Sequence, residues 1–538
     1  MRSSSSSATA LQLCLIAVGL GCGASSTGGP STGTAGAQGT AGSSGGGTTG
    51  TAGSSGGGTT GAAGSSVAGT TGTAGSSIAG TTGTAGSSIA GTTGAGGARG
   101  GTSGTAGTGG SGAQCTITAT SSLSPKIATV GIVTWSTSLT GVQSAKIDFG
   151  LTTSYGLTAP VDLAQPSYRT LLLGMKGSHM YHYRITATSG SGSCVSQDYT
   201  LMTGPIANGL IKPTVTNYNA AALAGGFLIT GQYVANANGS APAYILDNDG
   251  DIVWWYNIEN QVTGVVMDYA GTHMWINNHP ANDPNLLTAK MHRVTMDGMT
   301  DEDLTSQFSQ LSHQVTVLPD ETVAFYAADG GADGCSDIKE RAPNGTVRKI
   351  VNSQVALGTT GPCHVNEIQY SKQDDTLIFS DHIHCAVAKI KRSDGSVVWI
   401  LNGGTRTFAG DTWQGSEHGI FVLGLDDFLI FNNNTRTIAG SNQPGGTGDG
   451  SMAIEIKLNL TAKTVTKVWT YKAMGSAYQN DIMGDLQRLP NNNVVIAFGG
   501  KGIIQEITSD GTVLQEMKTM GNFGYIQKRM TLYGPPPR

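Results

Sequence analysis

One hairpin signal recurs through the C-terminal part of the chain: "YILDNDGDIVWWYN", "HRVTMDGMTDEDL", "IKERAPNGTVRKIV", "AKIKRSDGSVVWIL", "IEIKLNLTAKTVTKVWTY" and "QEITSDGTVLQEM". Apolar residues alternate on both sides of turn residues near positions 250, 298, 345, 395, 462 and 511. A second set of runs is interleaved: "VVMDYAGTHMWI", "HQVTVLPDETVAFY", "HVNEIQYSKQDDTLIFS", "HGIFVLGLDDFLIFN" and "GDLQRLPNNNVVIAFG". Paired alternating runs around Asp, Asn or Gly predict two-stranded hairpins. Two hairpins in each unit of about 50 residues give four strands per unit. The expected fold is all-β, a six-bladed β-propeller over residues 205–538. The fourth interval is longer and holds "TRTIAGSNQPGGTGDGS", expected as an inserted loop.

The preceding segments differ in kind. Residues 115–204 carry short alternating runs such as "ATVGIVTW", "SAKIDFG" and "MYHYRITATSG". About seven strands in 90 residues predict a small β-sandwich, similar to fibronectin type III and immunoglobulin domains, with Trp135 in its core. His179 and His182 there are expected at the surface. Residues 23–114 are almost entirely Gly, Ser, Thr and Ala, with "GTTGTAGSSIA" repeated, a composition expected to form a disordered tether. Residues 1–22 read as a signal peptide: Arg2 precedes the apolar run "ALQLCLIAVGLG". "GLGC" resembles a lipobox with Cys22 as the lipidated residue, although Gly19 stands where Leu is usual. The expected location is periplasmic or cell-surface, with the membrane touched only through the anchor. A net charge of −5 gives no footprint for nucleic acid, and the oligomeric state is left open.

Chemistry concentrates in "CHVNEIQYSKQDDTLIFSDHIHC", residues 363–385, which holds three of the ten histidines. His313, His364 and His418 each open the second hairpin of consecutive units, 51 and 54 residues apart. Equivalent positions in adjacent blades face the same axis, so the three imidazoles are expected to converge. Asn366 follows His364 by two residues and is expected on the same side. "HIHCAV" reads as strand, with His382 and His384 pointing together. The donors are spread over three blades and no carboxylate sits among them, so neither a metal nor a cofactor is expected. No phosphate-cradling glycine pattern implies a nucleotide donor.

At these residues the chain resembles the bacterial arylsulfate sulfotransferases. The resemblance rests on "ILDNDGDIVWWY", "SHQVTVLPDETV", "CHVNEIQ", "AVAKIKRSDGSVVWILNGG", "SEHGIFVLGLDDFLIFNNN" and "GDLQRLPNNN". It implies periplasmic transfer of a sulfuryl group from an aryl sulfate to a phenolic acceptor, without a nucleotide donor. It places the nucleophile at His418 and sulfuryl-binding or acid–base residues at His313, His364 and Asn366. Two departures stand out. Glu417 replaces the family's Gln before the nucleophile. His382 occupies the slot of an arginine, and a histidine carries that charge only when protonated. The sequence therefore predicts donor binding that weakens as pH rises through about 6.5. Two other readings fit the histidines: a non-catalytic propeller that binds a ligand or protein, and a metal-dependent hydrolase.

Five cysteines follow Cys22. Cys115 and Cys194 bracket the sandwich and are expected to pair in an oxidising compartment. A Cys335–Cys363 bridge would fix the loop leading to His364, leaving Cys385 free and buried.

Overall fold

A computed structural model of the chain describes residues 115–233, 240–279, 289–328, 335–403, 405–438, 443–519 and 521–536. The signal-peptide, lipidation and tether expectations for residues 1–114 lie outside the described residues.

The sandwich begins at Cys115. One sheet holds Ile117–Leu123, Gly131–Thr137 and Thr170–Leu172. The other is built on Val142–Gly150 and Met180–Ser189. Along Met180–Ser189, Tyr181, Tyr183, Ile185 and Ala187 are buried and their neighbours are not, the period-two pattern of a half-buried strand. Trp135 is buried against Tyr168. His179 is exposed and His182 pairs with Asp198 at the surface. A Cys115–Cys194 disulfide closes the domain across a separation of 79 residues. We expect the Cys115→Ser/Cys194→Ser variant to lose about 2–5 kcal/mol of sandwich stability. Denaturant unfolding monitored at Trp135 measures this.

The rest of the described chain forms six sheets, antiparallel except where Ala409–Gly410 runs parallel to Thr464–Lys472. Their innermost strands are Gln261–Met267, Thr316–Val317, Val365–Ser371, Glu417–Val422, Asp485–Arg488 and Phe523–Arg529. Each innermost strand adjoins the next, and Phe523–Arg529 adjoins both Asp485–Arg488 and Gln261–Met267, so the ring closes. Closure joins the two ends of the propeller: the last strand pairs with Phe227–Gln232. Closing the ring packs each innermost strand between its neighbours, so the outer strands are what remain as sheet edges.

The outer hairpins turn where the sequence places them. Gly250, Gly298, Gly345, Gly395 and Gly511 take positive φ between 68° and 87°, where a Cβ would be strained. The remaining turn uses Lys463 at φ 54°.

The sandwich docks on the first sheet. Ile127, Val130 and Leu173 share one apolar cluster with Phe227, Ile229 and Trp254. Arg169 pairs with Asp297 at 2.6 Å, and Lys176 reaches Asp251 at 2.7 Å in the "DNDGD" turn. Among the described residues no helix is long and apolar enough to cross a membrane. The second disulfide joins Cys335 to Cys363, and Cys385 is free and buried. Two disulfides point to an oxidising, exported setting.

Candidate active site

The ring of innermost strands brings four imidazoles together. His313 precedes Thr316–Val317, His364 precedes Val365–Ser371, and His418 lies within Glu417–Val422. His382 joins them from the turn after the strand Thr376–Asp381. Ring centres run in a chain: His313 to His364 at 5.2 Å, His364 to His382 at 5.6 Å, His382 to His418 at 5.5 Å.

His418 is 4% exposed and its tautomer follows from its neighbours. Asn433 donates through Nδ2 to the carbonyls of Asn480 and Met483, which fixes its amide orientation. Its Oδ1 is therefore the acceptor at 2.5 Å from His418 Nδ1, so Nδ1 carries the proton. Nε2 keeps its lone pair and accepts the Met483 backbone N–H at 3.1 Å. Burial pushes the pKa of His418 down to about 3, so the ring is neutral across the ordinary pH range.

The other imidazoles are set by a serine hydroxyl at His313 and by a carboxylate that takes the backbone N–H of His364. His313 sits at φ 40°; its Nδ1 bonds Ser312 Oγ at 2.5 Å, and its carbonyl accepts from Asn277. The His364 ring is open to solvent in the recess but ringed by protein. That enclosure lowers its pKa, against the Asp381 carboxylate, which raises it. Asp381 is fully buried: Oδ2 accepts the His364 backbone N–H at 2.8 Å, while Oδ1 accepts from His384. Sequence reading missed Asp381 and Met483. Asp381 was visible as the carboxylate before "HIHC"; nothing in the sequence marked a backbone N–H at 483.

Two expectations are corrected. The strand ends at Asp381, and residues 382–385 form a turn in which Cys385 takes φ 48°. Strand parity therefore fails: His382 enters the histidine chain, whereas His384 turns to Asp381 and Thr359. His382 also does not stand in for a charged arginine. Burial, then the neighbouring His418 and His364, push its pKa down to about 2. A titration of His382 near 6.5 is thus not expected. Its buried Nδ1 has no hydrogen-bond partner among the described residues, which leaves a polar atom open to a ligand.

Asn366 is fully buried, and its Nδ2 donates to the Glu417 carbonyl at 2.8 Å, tying two innermost strands together. Glu417 is sealed beside His418 and bonded by Trp413 Nε1 at 3.1 Å; burial raises its pKa strongly. The Cys335–Cys363 bridge adjoins His364 in the chain.

Among the described residues, two groups of three donors lie close enough to hold a metal: Cys363–Asp381–His384, whose cysteine is in the disulfide, and Asp247–Asp249–Asp251, where Lys176 sits. Neither includes the four funnel histidines. Dialysis against a chelator is expected to leave turnover unchanged; loss of activity restored by one equivalent of zinc would favour a metallohydrolase.

The depressed histidines carry a stability cost in acid. Between pH 6.5 and about 3 the unfolded chain binds a proton that folded His418 excludes, so stability falls as pH falls through that window. The slope for one group approaches about 1.4 kcal/mol per pH unit. Urea titrations at pH 4 to 7 should show a shallower dependence for His418→Gln than for the wild type.

Residues 348–530, about a third of the chain, match the family model described as Arylsulfotransferase (ASST). The matched stretch contains His364, Asn366, His382, His418 and Met483; His313 precedes it. No curated protein is a significant match. Among solved structures, the chain is similar to a Bacteroides caccae protein of unknown function, at 16% identity and TM-score 0.36, covering 56% of this chain and 98% of that one. It is also similar to the periplasmic gluconolactonase PpgL of Pseudomonas aeruginosa, at 13% identity and TM-score 0.36, covering 66% and 95%. A Lactobacillus plantarum protein is similar at 13% identity and TM-score 0.35, covering 55% and 84%.

Proposed function

We propose that the four-histidine funnel, in a six-bladed propeller, is the sulfuryl-transfer site of an arylsulfotransferase that uses no nucleotide donor. The observation that carries this reading is the state of His418: buried, neutral, with Nδ1–H held by Asn433, Nε2 unprotonated, and its ring at one end of a chain of four imidazoles.

In the first half-reaction Nε2 of His418 attacks sulfur of the aryl sulfate, and the sulfur–oxygen bond to the aryl group breaks. The phenolate leaves with a proton from His313 or His364, which enters this step as the imidazolium. The product is a sulfohistidine. In the second half an acceptor phenol gives its proton back to the same base, attacks sulfur and releases the imidazole. Charge on the sulfuryl oxygens grows in both transition states, and preorganised N–H groups stabilise it. His313, His364 and His382 supply such groups. The Met483 N–H must leave the lone pair as sulfur arrives, and it is then close enough to bond a sulfuryl oxygen. Asn366 takes a positioning role, holding the His418 strand against the His364 strand.

With histidine in the arginine's place, position 382 supplies no permanent charge. His382→Arg restores a permanent cation that burial cannot easily neutralise. We expect it to lower KM for the aryl sulfate about 3- to 10-fold, with kcat changed less. A higher KM in a folded variant would show that the recess needs an uncharged donor there.

The deciding experiment is p-nitrophenyl sulfate with and without phenol. Release of nitrophenol that depends on phenol supports the transferase. Release to water alone identifies a hydrolase, and no release with any donor favours a binding propeller. On the same reading the chain is exported and tethered through Cys22; palmitate labelling lost in Cys22→Ala tests the anchor.

A further inference from the structure

The innermost strands run in one direction around the ring, with the histidines at their starts. A second cavity of about 450 Å³ lies toward their ends, lined by residues 314–317, 369–370, 372–373, 421–423, 485–487 and 526–527 together with Val266, Tyr269 and Pro536. The two recesses are divided by a packed layer. Tyr326 and Tyr525 are fully buried there, and both hydroxyls donate to the Asn366 carbonyl. The cavity therefore belongs to the opposite mouth and has no part in sulfuryl transfer as proposed above.

Its volume falls in the range of small-molecule sites, about 300–1,000 Å³. Its wall is mostly apolar, with Val317, Phe421 and Ile526 facing Tyr269. Among its lining side chains are one carboxyl, Asp485, and one amine, Lys372. At the inner end Asp485 is buried, with Oδ1 and Oδ2 accepting the backbone N–H groups of Leu486 and Ile526. At the outer end Lys372 is exposed and its ammonium lies 5.9 Å from the Tyr269 ring centre. Among the described residues no carboxylate pairs with Lys372. An anion is thus welcomed at the rim, next to the Tyr269 ring.

We propose that this mouth is a second ligand site, built for a flat aromatic acid whose rings enter the apolar cavity and whose carboxylate stays at Lys372. The apolar part of the ligand gains by burial, and the rim cation orients it.

Calorimetric titration of the full chain with 2-naphthoate tests this, because that probe is neither a sulfate donor nor a phenolic acceptor. One saturable site is expected. Lys372→Glu should weaken it by about fivefold or more, since a rim cation is replaced by a like charge. The exposed position makes this change safe for the fold. 2-Naphthylmethanol, which lacks the charge, should bind more weakly than 2-naphthoate to the wild type. His418→Ala should bind 2-naphthoate as the wild type does. Absence of saturable binding, an affinity that Lys372→Glu leaves within about fivefold, or loss of binding in His418→Ala would each overturn the proposal.

Discussion

His418→Ala should abolish turnover of p-nitrophenyl sulfate, by a factor on the order of 10⁴ or more, the scale on which removing a covalent nucleophile acts. The fold should survive, because the side chain caps a recess and makes its polar contacts to Asn433 and Met483 alone among the described residues. With donor and no acceptor, the wild-type chain should gain one sulfuryl group, about 80 Da by intact mass, on the peptide containing "SEHGIF". Phenol should discharge it. The label should form with little change in rate from pH 8 down to pH 5, because burial holds the pKa of His418 at about 3 and the lone pair is already free of a proton. Label on His313 or His364 would move the nucleophile, and normal turnover by His418→Ala would end the mechanism.

The second large effect is expected at His364 and His313. Each truncation to Ala removes one donor from the sulfuryl oxygens and should slow labelling by roughly 10²–10³, or about 2.7–4 kcal/mol, as for a single oxyanion donor. A structural effect would appear as lost thermal stability without this selectivity. The contrast is sharpest with Asp381→Asn. It keeps a side chain that can accept the His364 N–H but weakens the hold on His384, so labelling should slow by less than about tenfold. Equal losses in Asp381→Asn and His364→Ala would mean that loop position, rather than the His364 ring, carries the effect.

Much of the architecture is written locally. A hairpin needs alternating side chains and a turn that tolerates positive φ, and both are short-range properties. That is why "DNDGD", "APNGT", "RSDGS" and "SDGT" mark turns that the structure also shows, at Gly250, Gly345, Gly395 and Gly511. The same regularity gave the histidines equivalent places, and the ring placed their centres 5.2–5.6 Å apart along the chain from His313 to His418.

Parity misled where the strand stopped. Nothing within "SDHIHC" says that Asp381 ends the strand; the carboxylate does so by capping the His364 and His384 backbone N–H groups, a contact across 17 residues in one case. The charge expected of His382 failed for a related reason. Residue type offers a histidine near 6.5, but burial beside His418 and His364 takes it to about 2.

The sequence by itself determined the all-β class, the hairpin periodicity and which histidines recur at equivalent positions, because strand alternation and turn chemistry act between near neighbours. Only the tertiary structure decided that Asn433 sets the His418 tautomer, that Met483 N–H meets its lone pair, and that a second cavity opens at the far mouth. Those features join residues 15 and 65 positions apart, or all six innermost strands at once, and they exist only when the ring closes. Desolvation, which fixes protonation, is likewise a property of the closed ring and not of any segment within it.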